Sequence, residues 1–214
     1  MTTVAEVYGL GLAGDRVWLE GSRDAELPVR DWNRDHLDGD QALLDRCQGP
    51  TLDVGCGPGR LSTALLGRGV PTLGIDISRQ AVALARLRGA AVLQRDVFRP
   101  LPREGGWGHA LLADGNIGIG ADPIRLLARC RDLLTPAGTV LLDLQGTGAH
   151  VRTDRVRLRA GDLASDWFHW SSLPTGALPA VAAAAGFGVQ DVWCSAGRWQ
   201  AELRTSDHWR RDPG

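Results

Sequence analysis

The chain has 214 residues, 43% of them hydrophobic and 23% charged, with a net charge of −1 at pH 7. That length suits one domain with a full core, and no run approaches the ~18 consecutive apolar residues of a membrane span. A near-neutral balance gives no reason to expect a nucleic-acid partner, which calls for a basic face. All 24 basic residues are arginine, which excludes a lysine nucleophile, a lysine Schiff base and a Walker A lysine. Cys47, Cys56, Cys130 and Cys194 form no C-x-x-C pair and lack zinc-ligand spacing, so no metal site is expected. The first residues lack the basic and apolar regions of a secretory signal, and the expectation is a cytoplasmic protein whose cysteines stay reduced.

In chain order, residues 1–48 hold Tyr8, Trp18, Trp32 and His36 and read as a helical cap. A helix is expected over 39–47, with Leu43 and Leu44 turned inward. Residues 51–54 form a buried strand, and 60–68 a helix with Leu61, Ala64 and Leu65 on one face. A second apolar strand covers 71–76. Ser78 then caps a helix whose Ala81, Leu84 and Ala85 share a face, and Gly89 ends it. The third strand covers 91–94 and the fourth 107–113. Asp122 and Pro123 open a helix as N-cap and first-turn proline, continued by Leu127, Cys130 and Leu134. Residues 135–138 read as a turn and 139–144 as a fifth strand. Continuous apolar strands alternating with helices imply a parallel sheet covered on both faces.

Beyond Leu144 the pattern changes. Val156, Leu158 and Ala160 alternate with Arg155, Arg157 and Arg159, a strand with one wet face. Residues 166–170 are an aromatic cluster. A helix at 178–185 closed by Gly186 and a hairpin, 188–194 and 198–204 around 195–197, complete the pattern. Trp107 and Trp193 are expected in the core, and residues 207–214 as a flexible tail.

The stretch Thr51-Leu52-Asp53-Val54-Gly55-Cys56-Gly57-Pro58-Gly59-Arg60 joins the first buried strand to a helix. Glycines there leave bare backbone for a large polar ligand and admit φ > 0, and the helix start adds free N–H groups and a positive dipole end. Read as Asp53-x-Gly55-x-Gly57-x-Gly59, the stretch resembles motif I of class I S-adenosylmethionine (SAM)-dependent methyltransferases. The resemblance covers about residues 51–204. It implies a Rossmann-like α/β fold: a seven-stranded, mostly parallel sheet of order 3-2-1-4-5-7-6 with strand 7 antiparallel, helices on both faces, and the cap in front. It divides the chain into a cap at 1–48, a SAM-binding methyltransferase domain at 49–206 and the tail. A nicotinamide dinucleotide domain would want G-x-G-x-x-G, and Arg60 stands where that pattern needs its third glycine. The C-terminal hairpin also favours the methyltransferase.

The resemblance assigns cofactor roles. Asp76 matches the acid that accepts from the ribose diol, and Ile77 would lie against the adenine face. Asp96 matches the acceptor of the adenine amino group, and the Val97 N–H would meet a ring nitrogen. Gly55, Cys56, Gly57 and Gly59 would pass the methionine part, with Asp53 ordering the turn. Cys56 is a small residue in a tight turn with no catalytic role, and Arg60 reads as a solvated first-turn arginine.

Methyl transfer from a sulfonium needs the nucleophile, the methyl and the sulfur collinear, and a base only when the nucleophile is protonated. Asp114, His150 and His169 are the ranked candidates for that base. Residues 113–118 lack the N/D-P-P-Y/F signature of many amide and nucleobase methyltransferases. The implied activity is methyl transfer to a small, specialised-metabolite acceptor. The alternatives are an RNA or protein methyltransferase and a non-catalytic SAM-binding module.

Overall fold

The computed structural model describes residues 2–22 and 24–206; the expected flexible tail at 207–214 lies outside the described residues. The N-terminal segment contains α1 (Val4–Leu12), β1 (Trp18–Glu20), β2 (Ala25–Glu26), α2 (Val29–Trp32) and α3 (Asp40–Leu44). The alternating part follows as β3 (Thr51–Val54), α4 (Arg60–Gly67), β4 (Thr72–Asp76), α5 (Arg79–Leu87) and β5 (Val92–Gln94). It continues with β6 (Trp107–Leu112), a kinked 3₁₀ stretch at Asn116–Ala121, α6 (Pro123–Leu133) and β7 (Leu134–Leu144). Last come β8 (Arg152–Ala160), β9 (Leu163–Ala164), β10 (Phe168–Ser172), α7 (Leu178–Ala184), β11 (Phe187–Ser195) and β12 (Arg198–Thr205).

The main sheet runs β11-β12-β7-β6-β3-β4-β5. From β5 inward this is the expected order 3-2-1-4-5-7-6, and β12 is antiparallel to both of its neighbours. β3 is buried at every residue, as a central parallel strand covered on both faces must be. Each flanking helix starts and stops where its residues dictate. Ser78 Oγ accepts from the Ala81 N–H at 3.3 Å, and Asp122 Oδ1 accepts from the Arg125 N–H at 3.0 Å ahead of Pro123. Leu126, Leu127, Cys130 and Leu133 on α6 are fully buried against the sheet, each leucine contributing about 1.5–3 kcal/mol of transfer free energy. The β11–β12 hairpin turns at Ala196 (φ 50°) and Gly197 (φ 78°), the left-handed pair that matches strand twist. Residues 135–138 do not end β7. They bulge inside it, so that Trp107 pairs with Leu134 and His109 with Thr139.

The cap differs from a purely helical one. β1 and β2 from the N-terminal segment join β8 and β10 in a second, antiparallel sheet, β10-β8-β1-β2, with β9 beside β8. Val156, Leu158 and Ala160 of β8 face inward, while Arg157 and Arg159 face out and pair with Glu20. Arg155 and Arg157 also flank the ring of Trp167. Helix α1 opens with a capping box between Thr3 and Glu6 and packs Val7 and Leu12 with Leu158, Ala160 and Ala81 of α5. The cap thus sits over the carboxyl end of β4. No helix among the described residues is long and apolar enough to cross a membrane. All four cysteines are free, three buried and Cys194 exposed. Trp107 is in the core. Trp193 is partly buried, with the Arg46 guanidinium 3.8 Å above its ring.

Candidate active site

The glycine turn is built as its sequence requires. Gly55, Gly57 and Gly59 have φ of 71°, 53° and 85°, a region that side chains with a Cβ rarely enter. Two of them also allow elements to close on one another. A Cβ on Gly55 would stand 2.7 Å from Asn116 Nδ2, and one on Gly59 would stand 2.9 Å from Ala85 Cβ. Gly59 is therefore a packing glycine at the head of α4, outside the cavity wall. Gly57 borders open space except for the Tyr8 hydroxyl, 3.1 Å from where its Cβ would be.

A cavity of about 560 Å³ opens beyond this turn. Asp53, Gly55, Cys56, Gly57, Asp76, Ile77, Asp96 and Val97 all line it, so the structure brings together every expected cofactor residue except Gly59. Asp53 is buried and accepts from Ser62 Oγ at 2.6 Å, tying β3 to α4. Burial pushes its pKa up to about 6, against the lowering effect of that hydrogen bond. Asp76 accepts from the Gly57 N–H at 2.9 Å and the Ser78 N–H at 2.7 Å, one on each oxygen. A carboxylate has about four acceptor positions, so acceptor capacity remains for a ligand. Burial raises the Asp76 pKa and the backbone donors oppose the shift. Ile77 is 57% exposed at the cavity edge. Asp96 Oδ1 accepts from the Phe98 N–H at 2.9 Å. The Cys56 thiol packs against Gly74, and burial raises its pKa far above the usual thiol range.

The opposite wall comes from the cap. Leu19, Leu27, Leu158, Phe168 and Trp170 line it, with Phe168 and Trp170 edge to face at 6.3 Å. His169 lines the cavity too. His150 is exposed in the loop before β8 and does not line the cavity. Trp18 and Trp167 lie outside the cavity wall, under and between arginines.

Arg60 corrects the sequence reading. It is 5% exposed and joins Asp40 and Asp114 in ion pairs. Arg198, from the hairpin, reaches the same cluster at 2.8 Å from Asp40, 2.9 Å from Asp114 and 2.5 Å from Asp143. Asp143 also accepts from the Asp114 N–H at 2.6 Å. The first-turn position of Arg60 suggested solvent, but α3 and the β12 start cover it. Burial alone would raise the Asp40 pKa; hydrogen bonds from Arg60, the Leu37 N–H and Arg198 outweigh it and hold the carboxyl below its ordinary value. Asp114 sits at φ 53° with one guanidinium on each oxygen. Burial raises its pKa, and both arginines oppose the rise. To take a proton, Asp114 would have to give up an arginine, so the geometry suits an anchor for the loop after β6 better than a base.

Two amides stand beyond the ends of β6 and β7: Asn116, in the 113–118 loop that the sequence offers as a substrate contact, and Gln145, to which sequence reasoning gave no role. Asn116 Nδ2 donates to the carbonyls of Val54 and Gly55, both at 2.9 Å. Gln145 Oε1 accepts from the Leu173 N–H at 2.9 Å, and Nε2 faces Gly115. Both line the cavity, and their fixed halves leave Asn116 Oδ1 as an acceptor and Gln145 Nε2 as a donor.

Residues 51–138 match the family model described as a methyltransferase domain. That stretch is similar to a methyltransferase domain, and the main sheet has the strand order expected of the class I fold. A SAM-dependent methyltransferase from Bacteroides fragilis in complex with S-adenosyl-L-homocysteine (SAH) superposes with a TM-score of 0.81 at 22% identity, over 96% of this chain and 97% of that one. Burkholderia thailandensis 1,6-didemethyltoxoflavin-N1-methyltransferase matches at 0.62 and 19%, over 78% and 76%. A glycopeptide N-methyltransferase complexed with SAM matches at 0.59 and 18%, over 80% and 96%. No curated protein matches the sequence.

Proposed function

We propose that this methyltransferase moves a methyl group from SAM to a nitrogen atom of a small, largely apolar acceptor held under the cap. The observation that carries the reading is one cavity with two chemical halves. Bare glycine backbone, Asp76 and Asp96 line one half; leucines, Phe168 and Trp170 line the other. Its volume, about 560 Å³, falls within the ~300–1,000 Å³ of small-molecule sites.

The residues fit the cofactor by their chemistry. The Asp76 oxygens retain acceptor positions for a ribose diol, Ile77 offers an apolar face to adenine, and Asp96 can accept from its amino group. Gly55 and Gly57 leave the backbone bare along the path of the amino-acid part. SAM, when bound, supplies an electrophilic methyl on positively charged sulfur. The chain's own contribution is orientation: fixed amides at Asn116 and Gln145, a rigid loop held by Asp114, and an apolar wall that excludes water. No carboxylate at the far half is unencumbered, since Asp114 holds two arginines. A neutral amine nitrogen is nucleophilic enough to attack without a base, and two neighbours are named as N-methyltransferases. His169, at the cavity wall, is the candidate to take up a proton released after transfer. The free cysteines, with Cys194 exposed, suit a reducing compartment, and we place the enzyme in the cytoplasm.

The test is calorimetry with SAM, SAH and NAD, followed by SAH-release assays on neutral aromatic amines, amino sugars, RNA and peptides. SAM and SAH binding with turnover on the aromatic amines is expected. NAD binding without SAM binding overturns the family reading, and turnover on RNA or peptides alone overturns the acceptor reading.

A further inference from the structure

The chain contains a single tyrosine, Tyr8, on cap helix α1. Its ring leans on Trp32, with centroids 6.0 Å apart and planes at 58°. Its hydroxyl crosses to the glycine turn and lies against Gly57, within 3.1 Å of the Cβ position there. Tyr8 lines the cavity, and among the described residues no group hydrogen-bonds to its hydroxyl. Tyr8 is half-buried, and its hydroxyl, free to donate, stands at the wall of the ligand cavity beside the glycine turn. Burial, then the nearby carboxylates of Asp76 and Asp114, raise its pKa well above the ordinary phenol value, so the hydroxyl keeps its proton and donates.

Resting on the SAM reading above, we infer that Tyr8 is a cofactor-binding residue: its hydroxyl donates to an oxygen of the cofactor's amino-acid part where that part passes Gly57. The contact couples the cap to the cofactor. Helix α1 carries Tyr8 on one turn and Val4 and Ala5, also in the cavity wall, on the turn before. A ligand oxygen bound to Tyr8 therefore draws the wall of the acceptor half into place.

The test is Tyr8→Phe, which removes one oxygen and keeps the ring against Trp32. Ligand-free melting should match wild type, whereas the Kd for SAH should rise about tenfold, as expected for losing one hydrogen bond. Methylthioadenosine, which has the nucleoside and sulfur without the amino-acid part, should bind both proteins equally. In wild-type protein labelled with 3-fluorotyrosine, the one fluorine resonance should shift on adding SAH and shift less on adding methylthioadenosine. Equal SAH affinity in the two proteins, equal weakening toward both ligands, or a fluorine signal indifferent to SAH overturns the inference while leaving the cofactor reading intact. Wild-type protein that binds no SAH at all overturns both.

Discussion

Asp76 at the end of β4 accepts from the backbone N–H of Gly57, 19 residues earlier, at 2.9 Å. One carboxylate therefore shapes the glycine turn and presents its remaining acceptor positions to the cavity. Asp76→Ala removes both functions. Losing charge-assisted hydrogen bonds costs about 1.5–3 kcal/mol, so SAM affinity should fall at least about tenfold by calorimetry. The orphaned Gly57 and Ser78 N–H groups should also lower the ligand-free melting temperature, with the far-ultraviolet circular dichroism retained. Unchanged affinity would mean that the ribose is held by other groups.

Arg60 separates a buried from a solvated reading by magnitude. Removing one partner of a buried ion pair costs about 3–5 kcal/mol, whereas a surface arginine changes stability by about 0.5 kcal/mol or less. Arg60→Met keeps the apolar stem and leaves Asp40, 1% exposed, with Arg198 as its remaining cation. Urea denaturation should show a loss in the upper range. A change near zero would show that the cluster contributes little to stability.

His109 gives a pH dependence of defined sign. Its Nε2 accepts from the Gln48 N–H at 3.2 Å and its Nδ1 faces Thr139 Oγ1 at 2.8 Å, so the ring is held neutral with Nδ1 as the donor. Burial lowers its pKa below the ordinary histidine value. The unfolded chain then binds more protons between the two values, so this contribution is present above the unfolded pKa and is lost as pH falls through the folded one. Asp53 acts oppositely. Its folded pKa of about 6 makes it destabilising to raise the pH from the unfolded carboxylate value through 6. Comparing wild type with His109→Gln cancels the Asp53 contribution. The stability difference should grow between about pH 5 and pH 7, bracketing the ordinary histidine pKa, and a flat difference would refute the assignment.

The main sheet was legible because its signals are local. Four buried residues at 51–54, glycines that only a tight turn uses, and side-chain caps at Ser78 and Asp122 each specify an element from within a few residues. The cap sheet was not. Trp18–Glu20 is too short to show a period, and its partner Arg157–Arg159 lies some 140 residues away, so nothing nearby marks the pairing. The ion cluster was hidden for the same reason. Arg60 meets Asp40 across 20 residues, and Arg198 meets Asp114 across 84. A first-turn arginine looks solvated until α3 and the hairpin are laid over it.

Gln145 offers the sharpest test of acceptor orientation. Its Oε1 is committed to the Leu173 N–H at 2.9 Å, which fixes Nε2 as the group that faces the cavity beside Gly115. Gln145→Glu keeps the oxygen that Leu173 uses, keeps the shape, and replaces the free donor with an acceptor. If Nε2 holds the methyl acceptor, the lost hydrogen bond and the new repulsion should lower kcat/KM by about 10- to 100-fold, corresponding to about 1.4–2.8 kcal/mol of transition-state stabilisation. The cofactor's proposed ligands lie on α1, β3 and the turn after it, β4 and the residues after β5, so the Kd for SAH should stay within about twofold of wild type, a difference well under 1 kcal/mol. A structural role alone would lower the melting temperature and leave kcat/KM per folded molecule unchanged. A rise in KM with kcat intact would mean that Gln145 binds the acceptor equally in ground and transition states. Wild-type kinetics in the variant would exclude Gln145 and leave Asn116 Oδ1 as the polar group that aims the acceptor.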